Sequence, residues 1–206
     1  MFLSRIQLNL NNRNTMKALS SPSIFHGAVE RAFTGERKRN LWRIDSLGGK
    51  MYLLLLSSSE PDLKSFCEQF GENDVCAEIK SYDKLLGRIK NGSRWRFRIV
   101  ANPTKSVLRK NERGKVYPHI TSDCQKKWLT GKSSKNGFLL SEDSFNVVQS
   151  KWLRFYKKES RPVSLLSVTY EGILEVTDEE LFRNALINGI GRGKAYGMGL
   201  LTVMYI

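Results

Sequence analysis

Two stretches hold residues whose types and spacing can do chemistry. In the first, Gly189, Gly191, Gly193, Gly197 and Gly199 fall within eleven residues and enclose Arg192 and Lys194. Glycine permits positive φ and close backbone approach. A run of such residues can turn successive N–H groups into an anion-binding concavity, and the two cations beside it favour a phosphate. Known nucleotide loops do not fit. A P-loop would need glycine at Asn188 and a hydroxyl at Ala195, and a dinucleotide fingerprint leaves a strand and opens a helix. This loop leaves a predicted helix and enters a predicted strand. A glycine-rich turn that only lets a strand pack closely is the competing reading. The second stretch centres on His26, one of two histidines. Imidazole titrates near neutrality and suits proton transfer to or from a hydroxyl. His26 borders the Phe25, Val29, Phe33 stripe of a predicted helix, so it can face a groove from the edge of a core. Glu30, one turn on, reads as a surface contact, and His119 as loop surface. Arg31 can balance charge nearby, although it lies about 140° around the helix from His26.

The elements that must position these groups belong to a strongly basic chain. Its formal charge is +14 over 206 residues, with an ordinary hydrophobic fraction of 40%. A folded basic protein points to a polyanion, nucleic acid first and an anionic membrane surface second. No apolar run approaches the roughly 20 residues of a membrane span. Residues 1–10 read as a strand and not a signal peptide, since Arg5, Gln7 and Asn9 interrupt them. Cys67, Cys76 and Cys124 are odd in number and lack paired spacing. They predict neither a disulfide framework nor a zinc site and fit a reducing cytoplasm.

Periodicity supplies the scaffold. Ile6, Leu8 and Leu10 alternate with polar residues in a first strand. Ser21-Pro22 offers an N-cap and a proline start for the His26 helix, which the cluster Glu36-Arg37-Lys38-Arg39 ends favourably for its dipole. Residues 41–45 and 50–56 flank Gly48-Gly49 as a hairpin. Leu63, Phe66, Cys67 and Phe70 make a helical stripe after Pro61, and Val75, Ala77 and Ile79 suggest a fourth strand. The order is β-α-β-β-α-β, the ferredoxin-like arrangement. Asn91-Gly92-Ser93 marks the seam. Beyond it Trp95, Phe97, Ile99 and Ala101 alternate with arginines. Residues 109–117 read as a basic loop, a helix starts at Thr121 with Cys124, Trp128 and Leu129, and residues 131–137 read as loop. Strands over 145–157 and 163–176 form a second hairpin. Thr177-Asp-Glu-Glu180 opens a helix as a capping box, with Leu181, Phe182, Ala185 and Leu186 inward. The glycine loop and last strand close a second β-α-β-β-α-β. The expected fold class is α+β, two tandem ferredoxin-like domains over residues 1–92 and 93–206.

Three stretches together resemble one family: Phe97-Arg-Ile-Val-Ala-Asn-Pro-Thr-Lys105, Thr169-Tyr-Glu-Gly-Ile-Leu-Glu-Val176 and Gly189-Ile-Gly-Arg-Gly-Lys-Ala-Tyr-Gly-Met-Gly-Leu200. They are similar to the CRISPR repeat-processing endoribonucleases of the Cascade complex, the CasE branch of the RAMP superfamily. The match runs from Phe2-Leu-Ser-Arg5 to the C-terminus and weakens over residues 46–91 and 110–150. The resemblance implies a cut at the 3′ base of a repeat stem-loop, without metal or small-molecule cofactor. The nucleotide's own 2′-hydroxyl would attack, leaving a 2′,3′-cyclic phosphate. It implies CRISPR repeat RNA and other Cascade subunits as partners, and no membrane. Family members keep a histidine early in the first helix, here His26. Some relatives place a tyrosine three residues earlier and a basic residue five later, where this chain has Ser23 and Arg31. The catalytic set is therefore His26 and Arg31. The family grips the RNA stem with the second-half hairpin, here Tyr156, Lys157, Lys158 and Arg161. Lys105, Gly189, Gly191, Arg192, Gly193 and Lys194 complete the expected RNA contacts. A catalytically silent RNA-binding subunit of a CRISPR ribonucleoprotein is the alternative.

Overall fold

Strand alternation in the first half produces one antiparallel sheet. In the computed structural model, residues 1–35, 38–73, 76–109, 112–156 and 162–206 are described. Strands β1 (Phe2–Leu8), β2 (Leu41–Leu47), β3 (Lys50–Ser57) and β4 (Ala77–Ser81) lie in the order β2-β3-β1-β4. Gly48 and Gly49 both take positive φ, 57° and 76°, as a two-residue type I′ hairpin requires. Leu10 lies beyond the end of β1 and is exposed.

Three helices cover this sheet: α1 (Arg13–Ser20), α2 (Ser23–Arg31) and α3 (Lys64–Phe70). The polar α1 was not foreseen. Asn12 caps it by accepting from the Asn14 N–H, and Thr15 and Ala18 are its only buried residues. Pro22 occupies the N-cap of α2, and Ser21 supplies no side-chain cap. Phe25 packs 5.1 Å from Phe70 and 6.1 Å from Phe66, ring centre to ring centre. Cys67 and Cys76, expected to be unpaired, form a disulfide that ties α3 to the approach of β4. Their nine-residue separation carries no recognisable pairing pattern, which is why the sequence concealed the bond. Val75 of the expected fourth strand, with Glu36 and Arg37 of the basic cluster, lies outside the described residues.

The second half repeats the arrangement. After α4 (Asp83–Leu86), strands β5 (Arg94–Ala101), β9 (Phe145–Tyr156), β10 (Pro162–Val176) and β11 (Leu201–Tyr205) run in the order β11-β5-β10, with β9 on the far edge of β10. The short β8 (Phe138–Leu139) also pairs with β10. Two stretches expected to be loops are regular. Of residues 109–117, those described belong to a separate ribbon of β6 (Thr104–Arg109) and β7 (Glu112–Pro118). Helix α5 (Ser122–Ser133) runs into a 3₁₀ turn, Ser134–Asn136, which Gly137 stops at φ 72°. Helix α6 (Glu179–Asn188) is capped by Asp178, whose carboxylate accepts from the Glu180 and Leu181 N–H groups; Thr177 is not the cap. Phe182, Ala185 and Leu186 face inward at helical spacing, whereas Leu181, also expected inward, is 43% exposed.

The two halves share packing. Leu41, Leu56, Tyr82 and Ile89 enter the core of the second half, whereas Trp42 enters that of the first. Strand β2 is thus buried from both sides, and Arg43 between them is 1% exposed. Its five N–H donors are all used. Two go to the Asp45 carboxylate at 2.9 and 2.6 Å. Three cross to the second half, to the Arg98 and Leu200 carbonyls at 2.9 Å and the Thr202 hydroxyl at 2.8 Å. Arg98 Nε lies 3.2 Å from Asp45, close enough for an ion pair but without hydrogen-bond alignment. Its Nη1 meets Glu171.

Candidate active site and nucleic-acid interface

His26 stands in the first turn of α2, where its N–H donates to the Pro22 carbonyl. The side chain is 29% exposed, and Nδ1 lies 4.0 Å from Glu30 Oε1. A depression of about 760 Å³ opens there, lined among others by His26, Thr34, Lys38, Asn40 and Ser59. The helix is fixed from below by Phe25, which meets the Trp42 ring edge-on at 6.0 Å. Trp42 in turn underlies the glycine loop: a Cβ on Gly197 would sit 2.7 Å from its ring. Helix α2 therefore runs beside the 3₁₀ turn Lys194–Tyr196 of that loop. Two residues far apart in sequence, His26 and Lys194, belong to neighbouring elements.

The glycine loop serves packing along most of its length. All five of its glycines take positive φ, between 69° and 89°. Gly189 faces Leu41 and the Gly199 carbonyl, and Gly193 faces Met198, with no room for a Cβ. The N–H groups of Gly189, Ile190, Tyr196, Gly197 and Gly199 donate to carbonyls of Ala185, Gly199, Gly193, Lys194 and Val100. The expected run of free amides is thus shorter than the sequence suggested, and residues 193–195 are the part left for an anion. Gly191 is no open hinge either, since a Cβ there would meet the Trp128 ring at 3.1 Å. Replacing it would disturb packing before it obstructed a ligand. Arg192 is exposed, and its backbone forms an isolated bridge with Asn102. The Lys194 stem lies across Gly199. Burial, with the charge of Arg39 second, holds the Lys194 ammonium below its usual pKa. An anion beside it would favour the charged ammonium against both effects.

Arg31 is not brought to the His26 depression. It is exposed and donates to Gln69 Oε1 on α3 at 3.3 Å. Ser23, at the position of the relatives' tyrosine, has its hydroxyl 3.2 Å from that of Ser21. Lys38 and Arg39, expected to end the His26 helix, lie beyond it, because α2 stops at Arg31. One lines the depression and the other acts on Lys194; their closeness to the histidine helix was the signal. Lys105 is exposed on β6. Tyr156 ends β9 and is 76% exposed. Lys157, Lys158 and Arg161 lie outside the described residues.

Three elements leave the second sheet at the same end. β10 pairs with the last residue of β5, Ala101, through Val168, so its residues 162–167 extend past β5 with β9. The ribbon rises just beyond Ala101, and the glycine loop enters β11 beside Ile99. Phe155 on β9 packs 5.0 Å from Tyr196 of the loop. Hairpin, ribbon, loop and histidine helix converge. Two ferredoxin-like halves holding such a helix against a glycine-rich loop match the architecture that the resemblance to the RAMP superfamily implies.

Comparison with known proteins narrows this. The model of the family described as CRISPR associated protein matches residues 1–204, and the chain belongs to that family. The CRISPR-associated endoribonuclease Cse3 of Thermus thermophilus is 30% identical over 218 residues, covering 98% of this chain and 99% of the relative. A structure of Thermus thermophilus Cse3 bound to an RNA representing a pre-cleavage complex superposes with a TM-score of 0.82 at 28% identity, with 98% of each chain covered. A chain from a CRISPR RNA-guided surveillance complex in a pre-nicking state matches with a TM-score of 0.73 at 26% identity, over 100% of both chains.

Proposed function

We propose that this protein is a metal-independent endoribonuclease that cuts CRISPR precursor RNA at the 3′ base of the repeat stem-loop and stays bound as a Cascade subunit. Full-length similarity to a named CRISPR endoribonuclease, to a solved RNA complex and to a surveillance-complex chain supports the class, the RNA and the partner subunits. The observation that carries the site is the placement of His26 on a helix beside the Lys194 turn. The 2′-hydroxyl attacks the adjacent phosphorus, and the bond to the 5′-oxygen of the next nucleotide breaks. One proton leaves the nucleophile and one reaches the leaving oxygen. His26 transfers one of them, and a phenol at position 23 is not needed for that step. Lys194, the Arg192 side chain and the amides of residues 193–195 hold phosphate, and Arg31 contributes if it swings away from Gln69. Tyr156, Lys157, Lys158 and Arg161 hold the stem, and Lys105 reaches the RNA from the ribbon. We assign catalysis to residues 1–92 and most RNA contacts to residues 93–206. No described helix is long and apolar enough to cross a membrane, and we place the protein in the cytoplasm with its RNA.

Purified protein in excess EDTA should cut its cognate repeat RNA once and leave 2′,3′-cyclic phosphate and 5′-hydroxyl ends. A strict magnesium requirement, or 3′-hydroxyl ends, would remove this reading. The exchange of a tyrosine for Ser23 favours one competitor, the silent RNA-binding subunit. Binding without cleavage of every repeat from the source genome would select it.

The phosphate role of the loop has its own test. Lys194→Ala should weaken binding to all repeat sequences alike. It should also flatten the plot of log affinity against log salt by about 0.7 to 0.9. An unchanged slope with wild-type affinity would leave the loop as packing alone.

A further inference from the structure

The β6–β7 ribbon belongs to neither sheet, and isolated two-stranded ribbons are marginal in water. Its side chains do not explain its presence through packing. Val107, Val116 and Tyr117 are 39% to 44% exposed, and neither core includes a described ribbon residue. Its root is well held instead. The His119 N–H donates to the Pro103 carbonyl at 2.9 Å, and the buried Gln125 amide binds the His119 and Ile120 carbonyls at 2.9 and 3.0 Å. On the other side Asn102 bridges to Arg192. The ribbon thus starts at the phosphate-holding loop, and six residues of β6 reach roughly 20 Å from it. Residues 104–118 carry five Lys or Arg against one Glu. Cross-strand register pairs Lys105 with Tyr117 and Val107 with Lys115. Directly opposed residues share a face, as do residues two apart on a strand. One face therefore presents two ammonium groups around an exposed aromatic ring.

We propose that this face binds the single-stranded nucleotides flanking the repeat stem, with one base stacked on Tyr117 and phosphates held by Lys105 and Lys115. The inference rests on the RNA partner assigned above. An aromatic ring among cations suits unpaired bases, because stacking needs a free base face. In an A-form stem those faces are covered by neighbouring pairs, and recognition falls to shape and phosphates.

The test compares two RNAs, the stem-loop with its full flanks and a short form that keeps only the nucleotides spanning the cut. Tyr117→Ala should lower affinity for the flanked RNA about tenfold, while Tyr117→Phe keeps it. Lys105→Ala and Lys115→Ala should each flatten the salt dependence on that RNA by about 0.7. Tyr117→Ala and Lys115→Ala should not alter binding to the short RNA, and circular dichroism should show each variant folded. Equal losses on both RNAs would overturn the assignment to the flanks, and no loss on either would overturn the ribbon as an RNA element. Wild-type cleavage of the short RNA reports separately on the endonuclease. Its absence, with ribbon-dependent binding retained, would overturn that reading alone.

Discussion

His26→Ala is expected to slow single-turnover cleavage by about 10²- to 10⁴-fold, the range for losing a general acid or base. Affinity for the repeat RNA should change little, because the proposed phosphate contacts lie on the loop, the hairpin and the ribbon. A 2′-deoxy nucleotide just 5′ of the cut should stop the reaction while the RNA still binds. Cleavage of that substrate would exclude internal attack whatever the histidine does. His119→Ala is the control. Its backbone N–H is committed to the ribbon root, and its removal should leave the rate intact. If the two histidines exchange these outcomes, the proton-transfer group is His119. Arg31→Ala separates the remaining cation. The guanidinium rests on Gln69 at 3.3 Å, so a rate loss comparable with His26→Ala would show that it moves to the phosphate when RNA binds.

The strand and helix pattern of both halves was legible because each buried face repeats its period, as in Trp95, Phe97, Ile99 and Ala101. His26 could be singled out by its type and its place at the edge of a stripe. Its surroundings could not, since Lys38 joins it in one depression, and the Lys194 turn comes beside α2, only through tertiary packing. The ribbon was hidden by its chemistry. A strand pair with both faces in water has no apolar alternation to read, and residues 109–117 look like any basic loop. Helix α1 was hidden for a related reason, burying only Thr15 and Ala18. The Cys67–Cys76 bond closes through tertiary contact that spacing does not encode. Glycine content announced a special backbone but not its cause. Much of the loop's positive φ serves close approach to Leu41, Trp42 and Met198, with the anion left a narrower place than five glycines suggest.

Arg43 is the residue whose loss should cost the fold most. The period of β2 marks Leu41 and Ile44 as apolar and gives no hint that an arginine between them is buried. Strand β2 has a core on either side, with Leu41 in one and Trp42 in the other, so Arg43 has no route to solvent. A buried guanidinium is tolerated only when its donors and charge are answered, and here Asp45, two carbonyls and a hydroxyl answer them. Arg43→Ala would leave the Arg98 and Leu200 carbonyls without that donor and Asp45 with only the misaligned Arg98. Breaking a buried pair from one side costs about 3 to 5 kcal/mol, a large part of the roughly 5 to 15 kcal/mol that holds a domain folded. Arg43→Lys should recover little, because an ammonium cannot reproduce a planar five-donor fork. The effect should reach the site as well. Leu200 follows Gly199, and Trp42 beside Arg43 supports both Phe25 of the histidine helix and Gly197 of the loop. Urea denaturation should therefore show the stability loss, and folded Arg43→Ala at low temperature should bind RNA more weakly than wild type. A stability loss below about 1 kcal/mol with normal RNA affinity would falsify the claim that this arginine locks the two halves in register.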